Sequence, residues 1–164
     1  MSVNTMEELL IDELRDLYSA EKQITRALPK IAKGASTPEL KEAILTHLEE
    51  TKGQVARLDQ IFGTLGKKST GKLCVGMKGV LEEGSEVLAD TEKGNVRDAA
   101  LISASQRIEH YEMAGYGSAR EFAKLLGQGE IAALLDQTLA EEKAADKKLS
   151  IISKQVNAEA KRAG

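Results

Sequence analysis

The chain is short of the residues that usually fill or staple a core. It has no tryptophan, two phenylalanines and three tyrosines, so aromatics make up 3% of its 164 residues. A single cysteine, Cys74, excludes an intrachain disulfide and fits a reducing compartment. Only two prolines interrupt it, which leaves long stretches free of helix breakers. No run approaches the roughly 18 uninterrupted apolar residues of a membrane-spanning helix. The opening segment MSVNTMEELLIDEL is acidic and lacks the basic-then-apolar pattern of a signal peptide, so a cytoplasmic location is expected. A net charge of -3 and the lack of a long basic run argue against general affinity for nucleic acid.

What is abundant is Ala, Leu, Glu and Lys, all good helix formers, and the expected fold class is all-α. Four long stretches carry apolar residues at alternating steps of three and four. The first runs from about Thr5 to Lys33 (Leu10, Leu14, Leu17, Glu21, Ile24, Leu28, Ile31), with Pro29 expected to bend its end. The second starts at Pro38, behind a Ser36 or Thr37 cap, and ends near Leu65. Its stripe is Leu40, Ile44, His47, Thr51, Gln54, Leu58, Ile61 and Leu65, widened by Ala43 and Glu50. The third spans about Val96 to the GQG at 127–129, and the fourth about Glu130 to the late 150s, leaving 157–164 as a frayed tail.

Short loops after the first and third long helices make each pair an antiparallel hairpin. Some 30 residues separate the hairpins, with Met77, Val80, Leu81, Gly84, Val87 and Leu88 at helical spacing. The expected architecture is one domain over 1–164: a four-helix bundle of two antiparallel hairpins, joined by a long crossover that contains a short fifth helix.

The stripes contain acids. Glu21, Glu112 and Glu142 occupy core positions near the midpoint of the first, third and fourth long helices, and Glu50 flanks the middle of the second. Hairpin packing keeps those midpoints level, so the four carboxylates should converge. Even one unpaired buried ion costs several kcal/mol. Protonation, pairing with a buried base or a bound cation would relieve this, and the stripes carry no Lys or Arg at that height. Two divalent cations would balance four carboxylates, and oxygen-rich sites suit iron or manganese. Glu109 lies three residues before Glu112, and Asp146 four after Glu142, each placed to add a ligand. His47 and Gln54 flank Glu50 as further ligands or as hydrogen-bonders to the ligands. Tyr18, three before Glu21, and Tyr111, beside Glu112, are candidates to donate to a ligand carboxylate, though a packed ring is the better reading for Tyr111 and for Tyr116. His110 is expected at the surface or an interface, and Cys74 in the core or crossover. GKKSTGKL at 66–73 has the spacing of a phosphate-binding loop, but Leu73 replaces the required hydroxyl and a helix precedes it, so it is rejected.

Segments DLYSAEKQITRAL, HLEETKGQVARLDQIF, NVRDAALISASQRIEHYEMAGYG and TLAEEKAADKKL resemble the YciF-like branch of the ferritin-like superfamily, as does KLCVGMKGVLEEG in the crossover. The resemblance extends over roughly Met6 to Ile152. It implies a ferritin-like bundle with a two-metal site, commonly a homodimer, linked to bacterial stress responses. The superfamily's usual histidine three residues after the glutamate is replaced here by Gly53 and Ala145, which leaves His47, Gln54 or Asp146 to complete the site. Two functions follow as expectations. One is a di-iron or di-manganese protein with oxygen- or peroxide-dependent redox activity, its redox partner unknown. The other is a non-catalytic helical dimer or binding protein whose metal site is structural or vestigial.

Overall fold

A computed structural model describes residues 2–163. The described residues form five helices and no strand: α1 (Met6–Gly34), α2 (Pro38–Leu65), α3 (Val75–Asp90), α4 (Asn95–Leu125) and α5 (Gly129–Ala163). Local chemistry sets the ends. Thr5 and Glu8 form a reciprocal capping box that starts α1. Pro38 occupies the first turn of α2, where its missing N–H is no loss, and Gly66 ends that helix in the left-handed conformation at φ 62°. Pro29 lies inside α1, which continues as helix to Gly34. The last helix also outruns its expectation. It stays helical through Ala163, past the 157 start of the expected frayed tail, with Val156 buried near that end. Gly164 lies outside the described residues.

Helices α1 and α2 form one hairpin, and α4 and α5 the other. Between them α1 and α4 run antiparallel, with Gly115 facing Leu17 at one level and Gly34 near Leu101 at another. A Cβ at Gly115 would sit 2.7 Å from Leu17, so this close approach needs glycine. The crossover helix α3 packs on α1 and α4. Gly76 is what lets it fit, since the Tyr111 ring fills the space where a Cβ would stand, while Gly84 lies against Ala104 with room for a methyl.

The apolar interior forms two clusters, one toward each end of the bundle. The first gathers Ile24, Leu28, Ile44, Met77, Leu101 and Leu149, among others. The second gathers Leu10, Leu14, Leu58, Ile61, Tyr116 and Leu135. Each draws on all four long helices, and burying one Leu or Ile side chain contributes roughly 1.5–3 kcal/mol. The stripes run straight through both clusters, but at mid-height their residues turn polar. No helix of the described residues is long and apolar enough to cross a membrane.

Candidate metal centre

Between the two clusters lies a polar layer: Glu21 from α1, His47, Thr51 and Gln54 from α2, Glu109 and Glu112 from α4, and Thr138 and Glu142 from α5. All are buried. They reach the interior because they hold stripe positions that Leu or Ile hold one turn away. Ligand atoms of His47, Glu109, Glu112 and Glu142 lie within 4.8 Å of one another. His47 Nδ1 is 2.5 Å from Glu109 Oε1, an ion-pair distance without the alignment of a hydrogen bond. Its Nε2 is 3.9 Å from Glu112 and 3.8 Å from Glu142. Both carboxylate oxygens of Glu109, Glu112 and Glu142, together with Glu21 Oε2 and His47 Nε2, have no hydrogen-bond partner.

Folded proteins rarely leave buried polar atoms unpaired. Burial is the main reason these carboxyls hold protons too well. It lifts Glu21 to about 7, against the opposing hydrogen bond it accepts from Tyr116. It lifts Glu109 to about 8, helped by the charges of Glu21, Asp146 and Glu50. Glu112 and Glu142 are raised well above the carboxylate range, Glu112 by burial and then by the charges of Glu142 and Glu21, and Glu142 by burial and then by Glu109. Among the described residues no lysine or arginine pairs with these acids. The nearby Arg57 is committed to Glu141 and Thr138. Four inward carboxylates and one imidazole, with lone pairs unused, are a donor set that fits a metal ion.

Other expected site residues fall elsewhere. Glu50 is half-buried and stays outside the cluster, lining a surface funnel that reaches His47 and Glu109. His47 lies three positions away on the same helix, and it is His47 that the rotation of α2 turns inward. Asp146 points off the cluster, taking Gln106 Nε2 at 3.1 Å and His110 Nε2 at 3.3 Å. Gln54 is buried and donates to Glu141, while its Oε1 has no partner. Tyr18 stacks edge-on against Phe62, with ring centroids 6.1 Å apart. The tyrosine that touches the layer is Tyr116, whose hydroxyl donates to Glu21 Oε1 at 2.5 Å. Tyr116 lies one turn beyond Glu112, a spacing that signals proximity to the layer but not the partner across the interface. Tyr111 instead donates to Asp16, which also accepts from the Cys74 thiol. Cys74 caps α3 by accepting from the Met77 N–H, and His110 is exposed.

Comparison with known proteins agrees with this architecture. A family model described as a domain of unknown function, DUF892, matches residues 5–161. Protein YciF of Escherichia coli (strain K12) is 48% identical over 151 residues, covering 92% of this chain and 91% of that protein. The crystal structure of the E. coli stress protein YciF superposes with a TM-score of 0.92 at 46% identity, covering 95% of this chain and 99% of the other. YcfI from Rhodopseudomonas palustris superposes with a TM-score of 0.88 at 43% identity, covering 91% and 95%. A protein from Xanthomonas campestris, at 22% identity and a TM-score of 0.75, shares the fold. With residues 5–161 matched and nearly half its positions identical to YciF, the chain belongs to the DUF892 family and is one of the YciF-like proteins.

Proposed function

We propose that the polar layer holds two divalent metal ions, iron first and manganese second, and that the protein uses them in a stress response as ferritin-like di-metal proteins do. The observation that carries this is the set of buried carboxylate oxygens on Glu112 and Glu142, with Glu109 Oε2, that no protein group hydrogen-bonds. Those three glutamates and His47 would hold the ions. Glu21 supplies the fourth carboxylate, so two divalent ions neutralise the layer. Bound there, iron or manganese would supply one-electron redox chemistry toward oxygen or peroxide. The chain's own part is to position and shield. Tyr116 fixes one oxygen of Glu21 and leaves the other free to face the layer. The apolar clusters close the layer toward both ends of the bundle, which strengthens the charge interactions within. His47 would add an imidazole nitrogen to the carboxylate oxygens. The stress role rests on the E. coli relative, which is described as a stress protein. A homodimer and a cytoplasmic location belong to the same proposal, the first from the family resemblance and the second from the lone cysteine.

The test is elemental analysis of untagged protein, as purified and after anaerobic reconstitution with ferrous iron. About two metal ions per chain are expected, falling well below one in Glu112→Ala. No metal under either condition, or full metal in a folded Glu112→Ala variant, would overturn the site. A second reading is a structural site, since the Rhodopseudomonas relative is described as a candidate structural protein. Metal retained without ferrous oxidation or peroxide consumption would favour it.

A further inference from the structure

The seam between α2 and α5 differs on the two sides of the polar layer. On one side it is clamped: the Arg57 guanidinium grips Glu141 at 2.9 and 3.1 Å and also donates to Thr138. On the other, the facing residues are small, Ala43 on α2 and Ala144 and Ala145 on α5, and the helices leave a funnel of about 110 Å³. Leu28, Ile44 and Leu149 make its inner walls apolar, while Ser105, His47 and Glu109 also line it.

Ser105 is 5% exposed, and its hydroxyl has no hydrogen-bond partner. A helical serine normally returns its hydroxyl to the carbonyl one turn back. This one does not, so it stands in the funnel wall as an open donor and acceptor. The charges define what could meet it. Glu50 and Lys148 line the same funnel with opposite signs, so neither anion nor cation gains there. Further in, the walls of Leu28, Ile44 and Leu149 give an ion of either sign nothing to replace the water it would lose. The volume compares with the ~150 Å³ of an engineered apolar cavity that takes up benzene.

We propose that the funnel is a binding pocket for a small uncharged alcohol of about four or five carbons, sized from that comparison. Its apolar body lies against Leu28, Ile44 and Leu149, and its hydroxyl pairs with Ser105. The position at the rim of a metal centre rests on the function proposed above, but the pocket itself needs no metal.

The test therefore uses the metal-free full-length protein and isobutanol as the probe, followed by amide chemical shifts. Saturable shifts at Ser105, Ala43 and Ala145 are expected, with a dissociation constant on the order of 10 mM for so small a ligand. Isobutyrate, of the same shape but charged, should give none. Ser105→Ala should weaken isobutanol binding about fivefold, the worth of one neutral hydrogen bond. Ala145→Phe should fill the funnel and abolish binding; if it does not fold, Ser105→Ala carries the test. Absence of saturable shifts, equal binding of isobutyrate, or unchanged affinity in Ser105→Ala would overturn the pocket. None of these outcomes bears on whether the layer binds metal, and a metal-free preparation does not bear on the funnel.

Discussion

Asp98 and Glu112 sit on the same helix and are equally shielded, each 0% exposed, yet their surroundings are opposite. Asp98 accepts from the Ser36 and Thr37 backbone N–H groups at 2.8 and 2.6 Å and from the Thr37 hydroxyl at 2.5 Å. It ties the α1–α2 turn to the start of α4, and Thr37 gives up capping its own helix to do so. Neither oxygen of Glu112 has a partner. The pair teaches that burial of an acid is not by itself a mark of function. Unmet hydrogen-bonding capacity is, because nothing in the fold repays the desolvation.

Substitution should therefore act with opposite signs at the two positions. Asp98→Ala strands two backbone donors and should lower stability by about 3 kcal/mol, since hydrogen bonds to a charged group are the strong ones. Metal content should not change. Glu112→Met should raise the stability of the metal-free protein by about 2 kcal/mol, as replacing buried ionic groups with apolar ones often does. Urea unfolding of both variants, with chelator present, reads the contrast; destabilisation at both positions would erase it.

A second contrast comes from pH. Glu21 and Glu109, lifted to about 7 and about 8 chiefly by burial, bind protons more tightly folded than unfolded. Their contribution is complete below the ordinary value of 4.5 and is lost as pH rises through the folded values. The metal-free protein should melt on the order of 10 °C lower at pH 8 than at pH 5. Metal-loaded protein, whose carboxylates have already released their protons, should lack that drop over the same range. Calorimetry with and without chelator compares them, and identical melting of the metal-free protein at both pH values would contradict the assignment.

The smallest effect separates two tyrosines. Tyr116→Phe removes the donor to Glu21 and should lower stability by about 1 kcal/mol. Tyr18→Phe, at a ring that stacks on Phe62, should change it by less than about 0.5 kcal/mol. A Tyr18 effect equal to that of Tyr116 would mean the layer extends further toward that end than the contacts show.

Period and caps made most of the fold legible. The limits of α2, Pro38 to Leu65, follow from a proline at the first turn and a glycine past the last. The inward glutamates on α1, α4 and α5 followed from stripe position and common height. Side-chain identity at the edge of a stripe did not. His47 and Glu50 are one turn apart on α2, and the packing of that helix buries the first and leaves the second half-exposed. Asp146 and Tyr18 were misplaced for a related reason: each satisfies the spacing rule, but Gln106 and His110 claim the first, and Phe62 packs against the second. Spacing along one helix carries no information about partners on another.

The division of the interior also bears on the order of assembly. Each apolar cluster takes residues from both hairpins, so neither cluster is complete in one hairpin alone. A single hairpin can leave its glutamates in water, where they ionise freely. Only when the two halves close on each other are those acids driven together and dried. Docking of the hairpins, rather than the winding of any helix, is then the step at which protons or metal ions must be taken up.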